Sequence, residues 1–382
     1  MRIVITSTHQ RVDGPDGVNY FIFGLADELV GRGHDVSVVT ALECDVEKVR
    51  EMFRLRHTVP IISLTEHTKP GVQRERLKVW AGRGRRQVRA LRPDLVIING
   101  TLPLRLSDND ATVLHDCCDW HLGQQPLVSR SLHRWARALG RFLGYHLSRH
   151  LICTCGEISE VVGREVPFTA RKCKVIPIGT RMQEVVAVSE RERLLVHIGT
   201  ASHKNPLPTL RAFAKMETPD VRLAFMGGPS AELEAAVSKL APEIRSRVTL
   251  TDFLPRSEFL SLLQRARVVS IPSDYPVAVC SPSALESLAV GTPVVCSESI
   301  SQDVVPEGVC GFRVKLTNYE TEAARHLDDL FGDDVLWQTM SRHAQRHSAR
   351  FSFDEVSSCY ERLLPGMVAK EEGPAVATVG GS

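Results

Sequence analysis

The 382-residue sequence predicts an α/β protein built from two doubly wound domains. Three observations lead there. Short apolar runs alternate with helix-patterned segments from Ile3 to Pro177, and the alternation begins again at Leu194 and continues to Phe312. One unit is legible throughout: Val268 to Pro272 reads as a buried strand, and Leu285, Leu288 and Ala289 form the face of a short helix. Gly291 stops that helix, Thr292-Pro293 turns the chain, and Val294-Val295 opens the next strand. Finally, 43% hydrophobic residues and no apolar run near the length of a membrane span fit two soluble cores.

The formal net charge of +2 gives no case for a nucleic-acid partner. Ten cysteines are scattered without a C-x-x-C pair, which speaks against a zinc ribbon or a disulfide framework. A reducing cytoplasm is the expected location. The start, Met1 to Thr6, reads as a first strand rather than a signal peptide.

Ile3 to Ser7 is expected as a buried strand, Thr8 to Gly17 as a glycine-rich loop, and Val18 to Gly31 as a helix. The loop lacks dinucleotide-binding spacing, so alone it reads equally as a phosphate-approaching turn or a plain connection. His34 to Thr40 is the next strand. Gln73 to Arg92 is strongly basic and reads as a solvated helix face. A helix over Ser129 to His150 sets Arg130, Arg134, Arg137 and Arg141 opposite Leu132, Trp135, Leu139 and Leu143. It is expected to bury its apolar side in the domain, with a contact to an anionic membrane surface or a charged acceptor as the alternative. Leu95 to Asn99 and Thr112 to His115 are further strands, and His115 stands at a carboxyl end, where ligand sites form. Leu151 to Thr154 and Lys174 to Pro177 complete the first half.

In the second half, Gly199 to Pro206 lies between a strand and a helix. Lys204 there is well placed to neutralise a diphosphate. Met226 to Pro229 ends a strand with glycines that let backbone approach a ligand. Glu286, one turn into its helix, is either an exposed helical glutamate or an acceptor for a sugar's vicinal hydroxyls. The expected boundaries are 1–180 and 181–350 for the two domains, 351–365 for a last helix, and 366–382 for a disordered tail.

In their order, these segments resemble the retaining GT-B glycosyltransferases of the large family 4 type, typified by bacterial mannosyl- and glucosyltransferases. The motifs are Gly199-Thr200 with His203-Lys204-Asn205, Lys174 to Gly179, and Ser283 to Pro293. Gly14 to Gly17, Leu114 to Asp116 and Cys153 to Glu157 add to them. The resemblance implies two Rossmann-like domains facing a cleft, the first on the acceptor side and the second holding a nucleotide-sugar donor. The last helix is then expected to pack back towards the first domain. It further implies that Lys204 meets the donor diphosphate, that Glu286 binds the ribose, and that His115 positions the reacting sugar. Gly17, Thr200, Gly227, Leu254, Ser281, Pro282 and Ser283 become donor contacts, with the Phe253 to Pro255 turn beside the base.

One departure stands out. The family's first glutamate of a pair is replaced by Ala278, so a contact to the donor sugar is absent or comes from Asp274. The arginine often found after the strand-ending glycine is Thr200, as in a subset of the family. Retention by same-face attack, without a metal or a resident cofactor, is what the resemblance implies. The donor is expected to be UDP- or GDP-linked and the acceptor a small molecule, glycan or lipid-linked sugar. The alternatives are a catalytically weak nucleotide-sugar-binding protein on this scaffold, or a nucleotide-sugar 2-epimerase.

Overall fold

The computed structural model describes residues 1–7, 12, 14, 16–65, 78–100, 102–115, 132–166, 168–183 and 191–364, with backbone alone at 132–138 and 141. Most of the Thr8 to Gly17 loop, the start of the basic segment, the chain after His115 and the tail lie outside these residues.

The N-terminal domain runs β1 (Arg2–Ser7), α1 (Gly17–Gly31), β2 (Asp35–Thr40), α2 (Val46–Phe53), β3 (Ile61–Ser63), α3 (Arg85–Leu91), β4 (Leu95–Asn99) and β5 (Asp110–Leu114). It continues through α4 (Leu132–Leu147), β6 (His150–Cys153), α5 (Gly156–Glu165) and β7 (Cys173–Val175). The C-terminal domain runs β8 (Leu194–Ile198), α6 (Pro206–Lys215), β9 (Arg222–Met226), α7 (Ala231–Ser238), α8 (Pro242–Arg245), β10 (Val248–Leu250) and α9 (Arg256–Arg265). Then follow β11 (Val268–Ile271), α10 (Pro282–Ala289), β12 (Val294–Ser297), β13 (Gly311–Val314), α11 (Tyr319–Gly332), α12 (Asp334–Ser348) and α13 (Phe353–Glu361).

Both sheets are parallel, in the orders β3-β2-β1-β4-β5-β6-β7 and β10-β9-β8-β11-β12-β13. Helices on both faces bury the central strands completely, which is why these strands read as continuous apolar runs. Alternation still sorts their side chains. Ile3 and Ile5 enter a core that continues across the domain boundary to Cys280 and Leu285, while Val4 packs behind the sheet with Trp80 and Val96.

The chain returns to the first domain beside the point where it left. Thr180 bridges to Ser352, and Phe353 fills the space above Gly24 and Gly179. A methyl group at either glycine would fall 2.0 and 2.4 Å from that ring, so only glycine fits there. On α13, Glu361 accepts from Arg32 at 2.7 Å and meets His34 at 2.8 Å, which holds the helix against α1.

The structure reverses one expectation. Tyr145 of α4 is buried in the core, while Leu139, Phe142, Leu143 and Leu147 face solvent. The apolar stripe therefore points outward, because the domain seats this helix by its opposite side.

Candidate functional site

Strand order reverses between β1 and β4 in one domain and between β8 and β11 in the other. Crevices open beyond the carboxyl ends of strands at such switch points. In the C-terminal domain, the loops there are built on glycine. Gly199, Gly227 and Gly228 have φ of +83°, +113° and +76°, a region in which any Cβ is strained. The two turns also touch: a methyl on Gly227 would sit 3.3 Å from Gly199 Cα, and the Gly199 N–H donates to Met226 O at 2.7 Å.

A polar relay supports these turns from below. His197 Nε2 lies 2.8 Å from Gly199 O and must carry the proton, since a carbonyl only accepts. Its Nδ1 meets the Thr209 hydroxyl at 2.9 Å, Thr209 meets Ser270 at 2.7 Å, and Ser270 meets Tyr319 at 2.9 Å. Tyr319 in turn donates to Val295 O at 2.8 Å. Burial holds the His197 pKa down to about 3, so the ring is neutral. Thr200, expected as a donor contact, donates to the carbonyls of Gly227 and Gly228 and holds the glycine turn.

Lys204 closes a single helical turn, and Asn205 then adopts a left-handed backbone (φ +51°) so that Pro206 can start α6. The lysine side chain folds over Gly199, whose added methyl would meet Lys204 Cγ at 3.1 Å. Burial lowers the proton affinity of its ammonium, and Glu286 works against that shift.

Glu286 projects from α10, whose first turn begins with Pro282 and is capped by the Ser281 hydroxyl on the Ala284 N–H at 3.4 Å. Its carboxylate is only 8% exposed and is ion-paired with Arg256. Burial pushes the Glu286 pKa up, against the pull of Arg256 and Lys204. Burial also disfavours the Arg256 charge, but Glu286 and Tyr20 outweigh it and hold the guanidinium charged. Arg256 lies over the Tyr20 ring at 4.5 Å and over Phe259 at 5.1 Å. Tyr20 belongs to α1 in the other domain, so this stack spans the cleft.

Arg256 escaped the sequence analysis. Its one signal was position: a cation at the first residue of a helix faces the positive end of the macrodipole and needs a compensating anion. Beside it, Leu254 is partly buried against the core, whereas Phe253 is 72% exposed and lies against the Gly227-Gly228 turn. Phe253, rather than Leu254, presents its ring at the lip.

Gly17 of α1 faces Pro282 of α10, and a methyl on it would approach Pro282 Cγ to 2.7 Å. Its smallness serves this domain contact directly. Asp16 caps α1 by accepting from the Val18 and Asn19 N–H groups, each at 2.9 Å. His115 follows β5, with Nε2 3.1 Å from Asn99 Oδ1 and its ring edge-on to Phe21 at 5.7 Å. It joins the group through α1, since Phe21 packs on His115 while Tyr20 packs on Arg256. Asn99 was read only as a strand end. Ser283 is buried behind Pro282 and accepts from the Ser287 hydroxyl at 2.7 Å through its carbonyl.

The loop before α10 is anchored at both ends. Asp274 donates its N–H to His203 O at 2.9 Å, and its side chain is exposed. The Ala278 carbonyl accepts from the Cys155 thiol at 3.3 Å. Among the described residues, no group of three His, Cys, Asp or Glu side chains is placed to hold a metal ion.

Comparison with known proteins bears on both halves. Residues 15–184 match the family described as Glycosyltransferase Family 4, and residues 192–333 match Glycosyl transferases group 1. The D-inositol 3-phosphate glycosyltransferase of Corynebacterium diphtheriae is 29% identical over 232 residues, 52% of this chain. The match takes in 49% of that protein, so the chain spans about half the length of this relative. Among solved structures, the sucrose-phosphate synthase of Thermosynechococcus elongatus superposes with a TM-score of 0.74 at 17% identity, covering 95% of this chain and 98% of that one. Anabaena HepE, solved with UDP and glucose, gives 0.70 at 17% identity, with the same coverage of both chains. With two parallel α/β domains and a family match to each, the chain belongs to the family 4 glycosyltransferases of GT-B fold.

Proposed function

We propose that the protein transfers a sugar from a nucleoside-diphosphate donor to an acceptor, with retention of anomeric configuration and without a divalent metal. The observation that carries this reading is Lys204, a half-buried lysine folded over the Gly199 turn in the same crevice as Glu286. A diphosphate seated there meets Lys204 and the start of α10, and its ribose reaches Glu286. HepE, with UDP in its structure, supports a uridine-linked donor, and a guanosine-linked one fits the same chemistry. The exposed Phe253 ring supplies a face for the base.

In the reaction, the anomeric C–O bond to the β-phosphate breaks and negative charge grows on the leaving oxygen. Lys204 stabilises that charge where it develops. The acceptor hydroxyl attacks from the same face and gives its proton to the departing phosphate, so no protein base is required. His115, held by Asn99 and Phe21, positions the sugar from the N-terminal side. The Ala278 position leaves the far side of the hexose without the family's carboxylate, and Asp274 is the group that can replace it.

The test is incubation of the purified chain with a panel of UDP- and GDP-sugars in excess EDTA, with release of nucleoside diphosphate as the readout. Release with at least one donor is expected. Activity abolished by EDTA and restored by magnesium would overturn the metal-free mechanism, and no release with any donor would overturn the donor class.

A further inference from the structure

Arg256 is a charged residue of the crevice to which the proposed reaction gives no task. Its guanidinium lies over the rings of Tyr20 at 4.5 Å and Phe259 at 5.1 Å, and it is ion-paired with Glu286. The ring faces favour a cation at this spot, where the start of α9 by itself would not. Among the described residues, Glu286 is the carboxylate that answers its charge.

Tyr20 gives this pair a second attachment. Its hydroxyl accepts from the Arg181 N–H at 3.1 Å, and its ring meets Phe353 edge-on at 5.6 Å. Thr180 and Arg181 open the crossing from the first domain to the second, and Phe353 ends the crossing back. The two crossings are bonded to each other, with the Phe353 N–H donating to Thr180 O at 3.1 Å. Contacts therefore run unbroken from the crossings through Tyr20 and Arg256 to Glu286.

A ribose arriving at Glu286 either takes the carboxylate from Arg256 or shares it. Displacement would leave a guanidinium whose side chain is only 20% exposed without its partner, a costly state. Sharing avoids that loss, because a carboxylate has about four lone-pair sites and the ion pair runs from Nη1 to Oε1. We propose that Arg256 is a positioning residue of the donor site: held by Tyr20, it stays paired with Glu286, fixes that carboxylate for the ribose and anchors it to the crossings between the domains. The inference rests on Glu286 as the ribose contact.

The sign of one substitution separates the two roles. Removing a competitor would free Glu286 and tighten nucleotide binding, whereas removing a positioning residue weakens it. A pH profile then separates positioning from mere packing. The charged and titratable groups facing Glu286 are Arg256 from α9, Tyr20 from α1 and Lys204 before α6. Burial raises the Glu286 pKa, while Arg256 first and then Lys204 pull it down. Without Arg256 the carboxyl takes up a proton at higher pH, and the acid no longer accepts from both ribose hydroxyls. His203, with a pKa lowered by burial and then by Lys204, and the nucleotide's terminal phosphate titrate alike in every variant.

Calorimetric titration of the full chain with UDP and with GDP, each variant read as a ratio to wild type at the same pH, tests this. Arg256→Gln is expected to weaken binding at least about tenfold near pH 7. That loss should grow as the pH falls from about 8 to about 6, and should be independent of pH in a Glu286→Gln background. Arg256→Lys, which restores a cation, should recover most of the affinity. Tyr20→Leu should weaken binding too, and add little to Arg256→Gln, because it acts through that residue. Tighter binding by Arg256→Gln would overturn the proposal and make Arg256 a competitor. A loss that is constant with pH and not rescued by lysine would also overturn it, leaving Arg256 as interface packing. Fully additive losses in the double variant would cut the link to Tyr20. Wild-type protein that binds neither nucleotide, or a Glu286→Gln variant that binds as well, would overturn the donor reading itself and the inference with it.

Discussion

At the scale of single residues, the site is a contest for one carboxylate. Glu286 is paired with Arg256, yet the proposed reaction gives it to a ribose. The donor must displace this partner or share the carboxylate with it. Glu286→Gln should therefore raise the donor KM more than it lowers kcat, because the ribose does not change in the transition state. Lys204→Ala should act differently, costing about 2–4 kcal/mol in kcat/KM with part of the loss in kcat, since its charge meets the leaving group. Steady-state kinetics on the two variants separates the roles; a kcat-only effect at Glu286 would remove it from the ribose. The placement of Lys204 and Glu286 in one crevice was legible, because position at a strand end or helix start carried it. Arg256 was not, because its partner lies 30 positions along the chain and the ion pair exists only once α9 and α10 are packed. The bonding of Thr200 was hidden for a related reason. Its hydroxyl finds the Gly227 and Gly228 carbonyls only after β8 and β9 pair.

At the scale of elements, the strands named from the sequence were read to within a residue or two, while the short, partly exposed β3 and β10 were not read. Parallel strands buried on both faces leave no ambiguity between core and solvent. Helix faces were harder. The periodicity of α4 defines an apolar stripe, but nothing in a period says which side a domain will cover. The relay beneath the Gly199 turn was hidden as well, since His197 sits in the middle of an apolar run and looks like a strand residue. Its consequence is measurable. His197 is held neutral in the fold, with a pKa near 3 against about 6.5 unfolded. Between those values the unfolded chain binds more protons, so stability is full above about pH 6.5 and falls as the pH drops towards 3. The loss from this group is at most about 1.4 kcal/mol per pH unit in that window. Urea unfolding at a series of pH values should show this slope, and His197→Asn should flatten it. An unchanged slope in that variant would mean that the acid sensitivity comes from other groups.

At the scale of the whole molecule, the two domains meet along both rims of the cleft. At the front, Gly17 lies against Pro282 and Tyr20 against Arg256. At the back, the start of α5 and the turn after β12 cap each other. The Gly156 N–H donates to Asp303 Oδ2 at 2.9 Å, while Glu157 accepts from the Ser301 hydroxyl at 2.7 Å and the Gln302 N–H at 3.1 Å. Asp303 thus stands at a helix N-terminus contributed by the other domain, where an anion is favoured by the macrodipole. These bonds exist only while the domains are together, so they bias the molecule towards the closed arrangement. Hydrogen bonds to a charged group contribute about 1.5–3 kcal/mol when well shielded and less at a partly exposed rim. Removing both carboxylates, in Glu157→Ala with Asp303→Ala, should therefore shift the population towards open forms without unfolding either domain, since each sheet keeps its own core. Small-angle scattering should report a larger radius of gyration for the double variant, and donor binding should weaken because Tyr20 and Arg256 no longer meet over Glu286. Saturating donor should restore part of the compaction, as a ligand that prefers the closed form must. A double variant with wild-type dimensions and wild-type donor affinity would place the restraint on closure elsewhere, in the apolar contact around Cys280 that joins the two cores.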